Sequence, residues 1–174
     1  YVQPKLDGCR MIMEDGKCWS RTGKKFPKEI VEHLLFNTNR LILDGELILP
    51  GGSFQDTMKA VKKFRPDTTP KLEYHIFDVI EEDVAFKHRL EDLYDFDTLD
   101  IGQPGRVYLL KTTLVNNETE LMQQHSFNIS DGYEGTIIRD INAKYELGHR
   151  SNYLLKMKDF DDAEFTIVNV FEGE

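Results

Sequence analysis

Residues 41–49 read LILDGELIL, an apolar strand interrupted by Asp44 and Glu46. On a regular strand, side chains two apart point to the same face, so these two carboxylates share one. Burying both against a hydrophobic strand is costly unless something pairs with them. Any fold for this chain has to supply that partner or leave the strand at an edge with a solvated face.

The neighbouring segments alternate between short strands and helices, with no internal repeat. Tyr1 lies inside an expected strand. Cys9 to Glu14 reads as a strand, Asp15-Gly16 as a two-residue hairpin turn, and Lys17 to Ser20 as its return. Residues 28–36 place Ile30, Val31, Leu34 and Leu35 on one helical stripe. A helix is expected over 54–64 and a strand over 72–80. A further helix over 86–96 carries Phe86, Leu90, Leu93 and Tyr94 on its stripe. Arg106 to Lys111 reads as a strand, and Asn117 with Glu120 opens a helix to about Phe127 in the manner of a capping box. Further strands are expected near 134–139, 153–158 and 163–171. Strands outnumber helices and several are hairpin-linked. The expected class is therefore α+β, two antiparallel sheets flanked by helices, rather than a doubly wound parallel sheet.

At 174 residues, 40% hydrophobic and 30% charged, the chain can bury one substantial core. No apolar run approaches the roughly 20 residues needed to cross a bilayer, and no signal-peptide pattern is present, so neither a membrane nor secretion is expected. The formal charge of −9 argues against coating nucleic acid electrostatically but leaves room for a local basic groove. Cys9 and Cys18 lack C-x-x-C spacing and read as two free thiols of a reducing compartment. Both ends read as cut from something longer, with 1–162 as one domain and 163–174 as its last strand or the start of the next.

Four polar interruptions stand out. Asp44 and Glu46 would be satisfied by a metal, a ribose hydroxyl or a basic residue. KLDGCR, residues 5–10, clusters Lys5, Asp7 and Arg10 around Gly8 just before a strand. Taken alone, that segment reads more simply as a mixed-charge surface loop; the alternative is a lysine nucleophile. Free lysine titrates near about 10.4, so nucleophilic attack at neutral pH requires loss of that proton with help from burial and nearby cations such as Arg10. Glu134 stands at the mouth of the apolar strand in YEGTIIRD. Lys156 and Lys158 share a strand face in YLLKMKDF, with Arg150 upstream, a pattern suited to a polyphosphate or to a solvated face. A lysine, several cations and a few carboxylates suit attack on an α-phosphate assisted by Mg²⁺, which binds through few carboxylates plus phosphate oxygens.

The order K-x-D-G, D-G-E, F-D, E-G, K-x-K along the whole chain resembles the covalent nucleotidyltransferase superfamily. That group comprises ATP-dependent DNA ligases, RNA ligases and mRNA capping enzymes, with an ATP-grasp-like catalytic core. Residues 134–139 and 154–160, with EFTIVNVFEGE downstream, look most like small DNA ligases of bacteriophages and large DNA viruses. The resemblance implies that Lys5 forms the bond to AMP and that Gln3 meets the adenine edge. It gives Arg10 and Arg21 (the latter in SRTGKKFP, after Ser20) the ribose and the nick-side phosphate. Glu46 would contact the ribose, Phe77 stack on adenine, Glu134 and Glu46 serve the metal, and Lys156 and Lys158 grip the α-phosphate. Arg150 would engage the 5′-phosphate of a nick, and Lys59, Lys62 and Lys63, with Arg65 nearby, DNA phosphates; a solvated helix face is the other reading of that cluster.

The same resemblance implies a monomeric, nick-sealing ligase core acting on double-stranded DNA in replication, repair or recombination. It would use ATP and Mg²⁺, hold AMP as a covalent intermediate, and work in the cytoplasm or nucleus. A C-terminal OB-fold domain that orients pyrophosphate would complete the protein. The alternatives are an RNA ligase, a capping guanylyltransferase (disfavoured by E-G in place of D-G at the fourth motif) and a nucleic-acid-binding relic without chemistry.

Overall fold

The computed structural model describes residues 1–97, 105–148 and 151–159, together with 166, 168 and 169. Its strands form two sheets. The smaller contains β1 (Val2–Lys5), β7 (Gly135–Arg139) and β8 (Leu154–Met157), in the order β1-β7-β8 and antiparallel throughout. The larger runs β3-β2-β4-β5-β6, from β2 (Cys9–Glu14), β3 (Lys17–Ser20), β4 (Leu43–Ile48), β5 (Glu73–Val79) and β6 (Val107–Leu109).

The β2–β3 hairpin turns at Asp15-Gly16, whose φ values of 44° and 71° match the right-handed twist of the strands they join. β4 is an interior strand, paired with β2 on one side and β5 on the other, so its alternation sorts residues to two covered faces. Leu43 and Leu47 face the main core with Met11, Met13, Tyr74 and Ile76, beneath Ile30 and Leu34 of one helical segment and Ala60 and Val61 of another. Asp44 and Glu46 face the other way, opposite Ile12 and Arg10 of β2. The edge-strand alternative for this segment is thereby removed.

Four helices complete the described chain: α1 (Lys28–Val31), α2 (Phe54–Lys62), α3 (Phe86–Asp97) and α4 (Glu118–Ser130). α2 opens with a capping box in which Ser53 and Asp56 exchange side-chain-to-backbone hydrogen bonds. α4 begins at Asn117, whose side chain accepts from the Glu120 amide at 2.9 Å. The Glu120 carboxylate accepts from the Asn116 amide instead of completing the box at Asn117.

The expected elements differ from the observed ones in four places. α1 is one turn long and passes into a 3₁₀ turn, Glu32–Leu34, before Leu35 becomes extended, so the periodicity of 28–36 reported burial and not an unbroken helix. On α3, Tyr94 is exposed while Arg89 is buried in its place. α4 continues to Ser130, stopping at Asp131-Gly132 and not at Phe127. β6 is shorter than 106–111 and pairs parallel to β5, because a helical crossover returns the chain in the same direction. The strand expected at 163–171 and the boundary at 162/163 lie outside the described residues.

Ile76 sits at the middle of β5 and is 1% exposed. Ile76→Ala should cost about 2–5 kcal/mol, read as a lower urea midpoint with an unchanged slope.

Candidate functional site

The first and seventh strands build the centre of the site. Antiparallel pairing sets Lys5 opposite Gly135, and the Glu134 amide donates to the Lys5 carbonyl at 3.0 Å. The Glu134 carboxylate then accepts from Lys5 Nζ on one side and Lys158 Nζ on the other. Partial burial works to raise the Glu134 carboxyl, but the hydrogen bonds from Lys158 and Lys5 outweigh it and hold the group below its usual range. The hydrogen bond to Glu134 in turn holds the Lys158 ammonium above its usual range.

Two glycines permit this closeness. A Cβ at Gly135 would lie 2.1 Å from the Met157 carbonyl oxygen, and one at Gly8 would lie 2.2 Å from that of Leu47. The glycines of E-G and K-x-D-G are therefore demanded by backbone approach: the first lets β8 bring Lys158 to Glu134, and the second lets the 6–8 loop cross over β4.

Facing Lys5 is the polar side of the larger sheet. Asp44, 1% exposed, takes a two-pronged ion pair from Arg10, with Nε at 2.8 Å and Nη2 at 2.6 Å. The Tyr145 hydroxyl donates to Asp44 Oδ2 at 2.7 Å and accepts from Arg10 Nη2 at 2.6 Å. Burial, then the Asp44 charge, push the Tyr145 hydroxyl well up. Glu46 is treated differently. Among the described residues none donates a hydrogen bond to it, and burial together with the Asp44 charge pushes its carboxyl up to about 7 against the pull of Arg10 and Lys5.

Phe77 occupies an irregularity in β5. Asp44 pairs with Asp78 and Gly45 with Ile76, which leaves Phe77 as the extra residue of a bulge. The bulge sends Phe77 and Asp78 both toward the cavity side, off the alternation that buries Tyr74 and Ile76 in the main core. Gln3, 2% exposed, donates from Nε2 to the Phe77 carbonyl at 3.0 Å and to Thr112 Oγ1 at 2.8 Å, so its remaining polar atom, Oε1, is an acceptor. Behind Phe77, Asp78 accepts from Arg89 Nε at 2.8 Å and Nη2 at 3.1 Å and also from Arg139 Nη1. The Arg139 guanidinium lies 5.5 Å from the Phe77 ring centre and 4.5 Å from that of Phe86.

These walls enclose an open cavity of about 830 Å³ between the two sheets. Lys5, Arg10, Arg21, Glu46 and Lys156 line its polar sides, and Gln3, Phe77 and Ile137 its interior. Lys158 and Glu134 adjoin it through Lys5. Lys62 and Lys63 are exposed on or just beyond α2 and Lys59 pairs with Asp56 at 3.0 Å; none of the three lines the cavity. Arg150 lies outside the described residues. Among the described residues no three His, Cys, Asp or Glu side chains group to hold a metal.

Sequence reasoning passed over Asp78, Arg89, Arg139 and Tyr145. The first three carried a readable signal. Asp78 interrupts an apolar strand as Asp44 does, Arg139 ends one, and Arg89 falls on the buried stripe of α3. Tyr145, in an irregular loop, carried none.

Comparison with known proteins gives consistent matches to one family. The profile of the ATP-dependent DNA ligase domain matches residues 1–158. A DNA ligase of African swine fever virus (isolate Tick/South Africa/Pretoriuskop Pr4/1996) is 29% identical over 189 aligned residues, covering 99% of this chain and 45% of the viral protein. The DNA ligase of Haemophilus influenzae is 25% identical over 99% of this chain and 63% of its own length. A crystal structure of Chlorella virus DNA ligase–adenylate superposes with a TM-score of 0.76 at 31% identity, over 90% of this chain and 60% of that one. The chain thus spans about half the length of the curated viral relatives it matches.

The raised Glu46 carboxyl has a consequence for stability. Its folded value of about 7 exceeds the reference value of 4.5, so between those limits the folded state holds the proton more tightly and stability falls as pH rises. Glu46→Gln removes this dependence. The variant's melting temperature relative to the parent should climb from pH 4.5 to about 7 and level off on either side.

Proposed function

From the membership of this chain in the ATP-dependent DNA ligase domain family, we propose that it is the adenylating core of a nick-sealing DNA ligase with Lys5 as nucleophile. The observation that carries the proposal is the clasp of Glu134 by Lys5 and Lys158, at a cavity whose other walls hold Arg10, Glu46 and Phe77.

In the first step Lys5 Nζ attacks the α-phosphorus of ATP. The new bond is N–P, the bond to the bridging oxygen breaks, and pyrophosphate leaves with the electron pair. Lys5 sheds its proton to solvent through the open cavity before attack, while Glu134, held in its charged form by the two lysines, orients Nζ. Lys156 on β8 and Lys158 just beyond it supply positive charge where negative charge builds on phosphate. Phe77 offers a ring for base stacking, held from behind by the cation over its face, and Glu46 a carboxylate able to accept from ribose hydroxyls. Because both Gln3 amide hydrogens are spent on protein acceptors, its free oxygen suits the exocyclic amine of adenine better than the carbonyl oxygen of guanine.

AMP then passes from Lys5 to the 5′-phosphate of a DNA nick, which gives that phosphate a good leaving group. Attack by the neighbouring 3′-hydroxyl joins the strand and releases AMP. Mg²⁺ fits this donor set through phosphate oxygens and one or two carboxylates, Glu134 and Glu46, and would neutralise phosphate charge there. Sealing of nicked double-stranded DNA is proposed for the full-length protein, in which an OB-fold domain C-terminal to this chain would complete the machinery.

Incubating the full-length protein with ATP and Mg²⁺ should add one AMP to its intact mass, and Lys5→Ala should abolish the adduct. An adduct formed only from GTP would reassign the chain to capping chemistry, and absence of any adduct would sink the proposal. Ligation of nicked DNA against nicked RNA then identifies the acceptor.

A further inference from the structure

Arg10 is the cation on the larger sheet that reaches the cavity, and its orientation is not its own. Nε and Nη2 are taken up by Asp44, and the remaining Nη2 hydrogen by the Tyr145 hydroxyl. Tyr145 closes the ring by donating to the same Asp44 oxygen that Nη2 reaches. Among the described residues nothing accepts from Nη1, on a side chain that lines the cavity and is 36% exposed. Two N–H donors are left for an oxygen-bearing ligand.

Tyr145 can impose this because its own loop is fastened on several sides. Lys144 forms an isolated bridge with Ala85, the Phe86 amide donates to the Ala143 carbonyl at 2.9 Å and the Lys87 amide to that of Ile141 at 3.0 Å. Arg89 donates to the Ala143 carbonyl at 3.1 Å and sets its guanidinium 5.5 Å from the Tyr145 ring. The phenol is thus gripped at its face by one arginine while its hydroxyl steers another.

We propose that Tyr145 is a positioning residue for nucleotide binding: by completing the Arg10–Asp44–Tyr145 ring of hydrogen bonds it holds Arg10 with Nη1 directed at the bound ATP. The hydroxyl touches neither ATP nor the reacting atoms. It acts through Arg10, and with it gone Arg10 keeps its carboxylate partner but loses the third contact that fixes its plane. This role rests on the chain being an adenylating core.

The test uses the full-length protein. Tyr145→Phe keeps the ring under Arg89 and removes only the hydroxyl. It should raise the KM for ATP in AMP-adduct formation about tenfold while the maximal rate stays within about twofold, as loss of a hydrogen bond to a charged group allows. Partial misfolding would lower the amount of active protein and leave KM in place. Calorimetric titration with ATP closes the cycle: in an Arg10→Ala background, Tyr145→Phe should change Kd by less than about twofold. An unchanged KM, or the same fold-loss with Arg10 absent, overturns the proposal. If the parent protein forms no adduct at all, the adenylation reading itself falls; an adduct-competent parent with an indifferent Tyr145→Phe variant removes only the role of the hydroxyl.

Discussion

The pairing of β1 with β7 is the constraint on which the site depends. It joins residues 2–5 to residues 135–138, across nearly the whole described chain, and brings Lys5 and Glu134 into contact. Neither segment holds the other by side-chain charge alone. The register is secured by the backbone ladder and by Val2, which is 1% exposed and exchanges hydrogen bonds with Thr113 at 2.8 and 2.9 Å. A slip of one residue would turn Lys5 from the cavity and carry a buried side chain into it. Such distant pairing is entropically expensive to form, so the surroundings of Lys5 are assembled late in folding.

The polar interruptions of the strands then sort into two kinds. Asp44 is met by Arg10 and Tyr145, and Asp78 by Arg89 and Arg139; both carboxylates are almost fully buried and satisfied within the protein. These pairs need not add net stability, since desolvation offsets much of their attraction, but removing one partner would strand a buried charge. Their use here is geometric: one fixes Arg10 at the cavity wall, the other backs the bulge that presents Phe77. Glu134 belongs between the two kinds, shared by two lysines and still partly open to solvent.

Much of this was legible because chemistry had been written into apolar strands. Period-two alternation identified the shared face of Asp44 and Glu46, and the glycines of the motifs marked places where backbones touch. Periodicity could not register a β-bulge, which comes from a mismatch between β4 and β5 and not from either strand alone. The parallel pairing of β6 was hidden for a similar reason, since strand direction is decided by the crossover through α3. Tyr145 was invisible because its significance lies in partners 101 and 135 residues away. Arg89 could have been found, since a cation on the buried stripe of an amphipathic helix calls for a buried acid, and Asp78 was available in the preceding strand.

Among the described residues no donor reaches Glu46, whose carboxyl is pushed up to about 7 by burial and by Asp44. Natural folds rarely leave such a group unpaired unless the strain is put to use. A ligand that brings hydroxyl donors to Glu46 would supply the missing hydrogen bonds, favour the charged carboxylate and recover part of the cost of its burial. Glu46 lines the same cavity as Phe77 and Gln3, proposed for the base, and Lys5 and Lys156, proposed for the phosphates. A sugar hydroxyl is the donor that the proposed function would bring to it. Under the proposed function, nucleotide affinity draws on this unpaired carboxylate as well as on the attraction of lysines for phosphate.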